Sequence, residues 1–330
     1  MKICRPVQDM VFRCLADGCP DTCCAGWEIP VDEESAARWQ KLPPEWRDRM
    51  VEATEWSSGE RQLKRHHGRC VLLNERNLCE LYAACGIDAL CRTCHLHPRF
   101  VAEYGGLREI MPGLSCPAWA ELYLMSDEKV TFITEESDEL PAYNEIDASL
   151  FYRLKKAREK AFDLLQDRSI PLDKRIDALL ALAEATDGVS ERGDVPQSVL
   201  SAYIRKLRQL EILTPQWREL LQRSHPSVPQ PWRETVGERL LIYYVFRFWL
   251  RGVYSGKVLP WAKLAVWSCI SAFALAADCE TREEFCEVIR LYSKEIEHNT
   301  ENVDALYRVL CRHSGRYSVA GLLKAWEKIK

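Results

Sequence analysis

The chain has 330 residues, 47% of them hydrophobic and 28% charged, the make-up of an ordinary folded protein of about two domains. That apolar content excludes a disordered chain, and equally a mini-protein that needs disulfides to hold its core. A formal charge of −4 argues against nucleic acid or an anionic membrane as the main partner.

The opening MKICRPVQDMVFRC has no apolar stretch of signal-peptide length. The expected location is therefore cytoplasmic, where thiols stay reduced and clustered cysteines favour metal over disulfides. Over residues 32–50 the spacing of Ala36, Ala37, Trp39 and Leu42 predicts helix capped by Asp32 and interrupted at Pro43 and Pro44. The polar run 57–68 reads as a connector, and Tyr104, Gly105 and Gly106 as a hairpin turn. Residues 121–147 carry nine Asp or Glu against one Lys, and within them 130–134 (VTFIT) predicts a strand ahead of an interdomain link.

Helical periodicity dominates the rest. Leu150, Leu154, Ala157, Ala161, Leu164 and Leu165 recur at three- and four-residue spacings, and Pro171 opens a second helix. Further helices are expected over 197–212, 215–223, 234–253 and 260–278. Thr281 with Glu284 is a capping-box pattern for a helix reaching residue 297, and two more follow over 302–312 and 318–329. The longest uncharged run, 264–277, is 14 residues. A bilayer needs about 20, so no membrane insertion is expected. The predicted fold is mainly α: a cysteine-rich, loop-rich cluster domain over 1–120, an acidic connector over 121–147 and an α-helical domain over 148–330.

The unusual number is fifteen cysteines, eleven of them in the first 116 residues. The other four, Cys269, Cys279, Cys286 and Cys311, lack close partners in sequence and read as buried free thiols. Cys14, Cys19, Cys23 and Cys24 make one group, Cys70, Cys79, Cys91 and Cys94 a second, and Cys116 stands last. Short spacings with Gly and Pro between them let the backbone curl round one ion or cluster and aim several thiolates at a point. Adjacent side chains diverge, so Cys23 and Cys24 are expected to face different centres, or one to bind and the other to pack. Cys19 with Cys23, and Cys91 with Cys94, have the spacing of zinc knuckles, whereas an iron–sulfur cluster accepts four thiolates at irregular spacings. Spacing alone leaves zinc and iron–sulfur open. The C-x3-C-x2-C pattern of radical enzymes is absent, because Gly26 occupies its third position, and no G-x-G-x-x-G supports a dinucleotide-type fold.

Two readings stand for each polar neighbour of these thiols. Arg92 and Arg99 either steady a negative cluster and grip a carboxylate, or pair at the surface. His95 and His97, and the pair His66 and His67, either ligate metal or pack. Tyr243, Tyr244, Phe246, Phe248, Trp249, Trp261 and Trp267 fall on helices and read as core.

Five pieces of the chain carry a family resemblance. They are F-x-C-x4-C-x-D-T-C-C-x-G-W at 12–27, G-R-C-x2-L at 68–73, L-C-E-L-Y at 78–82, C-R-T-C-x3-P-R at 91–99 and L-S-C-P at 114–117. Together they resemble the flagellin lysine-N-methylase (FliB) family, itself related to a wider group of cysteine-cluster proteins. The resemblance runs over 12–120, with weaker matches in LLIYYVFRFWL at 240–250 and IEHNTENVD at 296–304, where Glu297, His298 and Asn299 also read as ordinary helix-end residues. It implies a cytoplasmic enzyme that uses S-adenosylmethionine and a 4Fe–4S cluster to methylate lysine side chains of flagellin or a related protein. The positions it marks as metal ligands are Cys14, Cys19, Cys23, Cys24, Cys70, Cys79, Cys94 and Cys116, with Cys85 and Cys91 additional to the pattern. Arg92 and Arg99 are the candidates for binding the cofactor. The rival expectation is a non-enzymatic cysteine-cluster metal protein, a structural zinc or redox module.

Overall fold

A computed structural model of the protein describes residues 1–57, 59–141, 145–223 and 230–329. It is mainly α-helical, as the periodicity predicts. The chain forms two compact units: residues 12–100 with 116–118, and residues 1–11 with 101–115 and 119–330. The expected boundary at residue 120 thus falls inside the helix Pro117–Leu124, and the first eleven residues fold with the helical unit.

In the helical unit, Lys2–Pro6 lies parallel to Leu107–Pro112 and antiparallel to Phe132–Glu136. Arg99–Tyr104 completes this four-stranded sheet. The Gly105-Gly106 turn is where the sequence places it, and the strand expected over 130–134 runs over Phe132–Glu136. Asp147 caps Ala148–Leu165 by accepting from the Leu150 amide at 3.0 Å, and Pro171 precedes Leu172–Asp187. The central pair, Arg233–Phe248 and Leu259–Leu275, is buried on almost every face and packs together. Each large apolar side chain there contributes about 1.5–3 kcal/mol by leaving water. All seven aromatics from Tyr243 to Trp267 lie in this core. Thr281 and Glu284 close the capping box of Arg282–Tyr292, which passes into a π-turn at Ser293–Glu297. Asn299 caps Thr300–Leu310, so its role is that of a helix start. Among the described residues no helix is long and apolar enough to cross a membrane.

This core also buries charge, much of it in pairs. Arg158 donates to both carboxylate oxygens of Glu109, one bond being 2.8 Å. Arg175 and Arg168 share Glu238 at 2.7 and 2.8 Å. Lys263 meets Glu191 at 2.7 Å, and Tyr243 donates to Glu297 at 2.7 Å with Arg247 nearby at 3.6 Å. Such pairs cost desolvation, so their contribution lies in what their removal would strand.

In the cysteine unit, Asp32 caps Glu33–Trp39 and Pro44 opens Pro44–Glu52. The run 57–68 is not a connector. Thr54–Ser57 pairs antiparallel with Glu60–Leu63, and Arg65–His66 with Arg69–Cys70. Glu60 faces solvent while Gln62 and Leu63 turn inward, a pattern too short and polar to read as strand. Ile29, Trp39, Met50, Leu63, Leu72, Leu81 and Ala89 form the core of this unit, and Cys70 and Cys91 are part of it.

Candidate functional site

Three loops bring the thiols of the cysteine unit together. The first is a turn at Cys23 and Cys24, where the Thr22 hydroxyl accepts from the Cys24 amide at 3.2 Å. A turn does not alternate its side chains as a strand does. The two sulfurs accordingly lie 3.9 Å apart instead of diverging, which corrects the expectation for adjacent cysteines. Trp27 donates to the Cys23 carbonyl at 2.7 Å and stacks on His97 at 5.6 Å, so His97 is engaged in packing. Gly26 has φ +87°, a backbone conformation that a cysteine at the same place would adopt only under strain. The obstacle is the backbone alone, because an added Cβ at Gly26 would meet nothing within 4 Å.

The second loop joins Cys70 to Cys79. The Cys70 amide donates to the Cys24 carbonyl at 2.9 Å, tying the two loops together. Asn74 folds the stretch back on itself, its Oδ1 accepting from the amides of Arg76 at 2.9 Å and Leu78 at 3.0 Å. The third loop carries Cys91 and Cys94. Cys79 and Cys91 each stand at the N-cap of a short helix, Glu80–Cys85 and Arg92–Leu96. The third loop is anchored where Trp39 donates to the Ala89 carbonyl at 2.6 Å and Thr93 to the Pro30 carbonyl at 3.0 Å.

The electrostatics show how close these sulfurs are. A hydrogen bond to Cys23 keeps the proton on Cys24, and burial with the neighbouring Cys79 and Cys70 pushes its thiol further up. Cys94 is likewise raised, first by its bond to Cys91, then by burial and by Cys24 and Cys70. The same bond lowers Cys91, which also receives backbone N–H groups of Thr93 and Cys94. Burial pushes Cys70 up to about 11, and raises Cys79 against the pull of the Leu81 and Tyr82 amides. Cys19 is raised by burial, with Cys14 and Cys23 as its charged neighbours. The connected set is therefore Cys23, Cys24, Cys70, Cys79, Cys91 and Cys94, with Cys19 and Cys14 leading into it.

Of the eight positions marked from sequence, five belong to this network and Cys14 and Cys19 lead into it. Cys116 falls in the same unit and is half-buried. Cys91, set aside as additional, lies at the middle of the network and is 1% exposed. Its signal in sequence was the C-x2-C spacing to Cys94. Cys85 stays outside, next to Glu45. His66 and His67 contact each other edge-on at an exposed strand end. The Arg99 guanidinium lies 5.2 Å over the buried Phe12 ring, while the exposed Arg92 uses its backbone amide to bond Asp32 at 3.0 Å. In the helical unit Cys269, Cys279 and Cys286 are buried thiols as expected, whereas Cys311 is half-buried beside Tyr307.

The gathered side chains are all sulfur and lie in one unit, with protons held in place by burial and by their neighbours. Among the described residues no three donors are already gathered as a formed metal-binding group. The thiols sit on three loops as separate donors.

Known proteins resemble one part of the chain. A stretch of 113 residues, 32% of the chain, is 28% identical to the flagellar biosynthetic protein FliU of Salmonella muenchen and covers 67% of that protein. It is equally 28% identical to the lysine-N-methylases of Salmonella typhimurium and Salmonella choleraesuis, of which it covers 28%. The chain resembles lysine-N-methylases over about a third of its length. It therefore matches well under half the length of those two enzymes. No protein-family model matches the chain, and no solved structure matches it.

Proposed function

We propose that the protein is an S-adenosylmethionine-dependent protein-lysine N-methyltransferase with an iron–sulfur cluster in its cysteine unit, acting on flagellin or a related protein. The observation that carries this reading is the six-thiol network in a chain that resembles lysine-N-methylases. The ligands would come from Cys23, Cys24, Cys70, Cys79, Cys91 and Cys94. S-adenosylmethionine, when bound, supplies an electrophilic methyl group on a sulfonium. The protein must present a neutral lysine nitrogen in line with that methyl and let the amine lose its proton to solvent, as positioning catalysis requires. Arg92, exposed at the edge of the thiol network, is the better placed of the two arginines to meet a cofactor, because Arg99 is stacked on Phe12. Cys91 and Cys94 also have the form of a zinc knuckle, which keeps a structural zinc module as the second reading.

The test is methyl transfer from S-adenosylmethionine to purified flagellin by anaerobically prepared protein, with mass spectrometry locating methylated lysines. Modified lysines that disappear in Cys24→Ser and Cys94→Ser support the proposal. Equal methylation by the variants removes the cluster from the reaction, and no methylation by the wild type, with zinc bound, supports the second reading.

A further inference from the structure

One surface cavity of the cysteine unit has a lining that the fold itself uses only in part. It has a volume of about 410 Å³, and its walls include Asp32, Glu34, Arg38, Asp88, Arg92 and His95. Two of these groups are committed. Asp32 accepts from the Ser35 amide and hydroxyl at 2.8 and 2.6 Å and from the Arg92 amide at 3.0 Å. Arg38 is anchored by bonds to the Ser35 hydroxyl at 2.9 Å and the Leu90 carbonyl at 3.0 Å. The side chains of Glu34, Asp88, Arg92 and His95, by contrast, make no hydrogen bond or ion pair among the described residues. Opposite charges thus share one hollow without pairing to each other.

The position of the hollow matters as much as its charge. Arg92 directly follows Cys91 and His95 directly follows Cys94. Asp32 accepts from the backbone amide of Arg92, the residue next to Cys91, at 3.0 Å. The wall of the cavity and the thiol network are therefore built from the same short stretch, residues 90–96.

The mixed lining selects a ligand by sign. A phosphate would meet three carboxylates, and a bare cation would meet two guanidinium groups. A group that carries both charges meets a partner for each: carboxylate to Arg38 and Arg92, whose planar forks suit it, and ammonium to Glu34 and Asp88. We infer that this cavity binds the α-amino-acid end of the sulfonium cofactor, with Arg92 and Asp88 as its two poles. The assignment rests on the methyltransferase reading and adds to it a place and a set of residues.

Calorimetry with the full chain separates the two. S-adenosylhomocysteine carries the amino-acid end, and 5′-methylthioadenosine lacks it. The wild type should bind S-adenosylhomocysteine about 10-fold or more tightly than methylthioadenosine, the scale of charge-assisted hydrogen bonds. Arg92→Ala and Asp88→Ala should each bring S-adenosylhomocysteine down toward the methylthioadenosine level and leave methylthioadenosine itself unchanged. Both side chains are exposed, so thermal melting of the variants should match the wild type. Equal binding of the two ligands by the wild type, or undiminished S-adenosylhomocysteine binding by both variants, overturns the cavity assignment and leaves the methyltransferase reading standing. A wild type that binds neither ligand overturns both.

Discussion

The two units bury polar atoms in opposite ways. In the helical unit several buried charges meet an opposite one, Arg158 with Glu109, Arg175 with Glu238, Lys263 with Glu191, and Arg247 with Glu297, while Arg239 rests on the Tyr123 and Glu128 carbonyls. In the cysteine unit the gathered groups are alike, so each thiol raises the cost of ionising the next. Paired unlike charges complete a fold without help. Crowded like donors make sense when an outside cation completes them. The contrast gives the helical unit's charges a structural role and leaves the thiols to the proposed cluster.

The comparison can be broken where its predicted effects are largest. Glu238→Ala strands Arg175, which is 2% exposed, and should cost about 3–5 kcal/mol in denaturant unfolding. A cost under about 1 kcal/mol would mean that the pairs do not hold the helical unit as described. Gly321→Ala comes next. An added Cβ would lie 2.4 Å from the Arg316 carbonyl oxygen, so overpacking of about 1–3 kcal/mol is expected in thermal unfolding.

In the cysteine unit the acid dependence can be signed. Burial opposes ionisation of Asp32, but bonds from the Ser35 hydroxyl and amide and from the Arg92 amide outweigh it and hold the carboxyl below its ordinary value of 3.8. A depressed folded value means stability that is present above the ordinary value and lost as pH falls through the folded one. Asp32→Ala should therefore cost about 0.5–2 kcal/mol near neutral pH, with the gap to wild type narrowing below about pH 4. A constant gap across that window would show that the ionised carboxylate is not what caps the helix. The smallest effect is predicted for Cys85→Ser, outside the network: bound metal unchanged and stability within about 0.5 kcal/mol.

Local patterns were the legible part of the sequence. Helices announced by spacing and caps, such as Ala148–Leu165 and the capping box at Thr281, form as read. Pairings between distant segments were not legible: nothing in Lys2–Pro6 says that Leu107–Pro112 and Phe132–Glu136 will flank it. The hairpin of Glu60–Leu63 was hidden because backbone pairing, not an apolar stripe, defines it. Spacing pairs Cys91 with Cys94. The family pattern left Cys91 out, although an N-cap that Trp39 and Arg38 hold from another helix sets it beside Cys94. The divergence expected of adjacent residues misjudged Cys23 and Cys24, whose turn brings the sulfurs together.

The central claim, that the thiol network is completed by iron and sulfide, is tested most directly by metal and acid-labile sulfide analysis of anaerobically purified protein. Cys94→Ser and Cys269→Ser serve as its paired controls. The account predicts about four irons and four sulfides per chain in the wild type and in Cys269→Ser, with iron sharply reduced in Cys94→Ser. Stoichiometric zinc without sulfide, or iron that survives intact in Cys94→Ser, would contradict it.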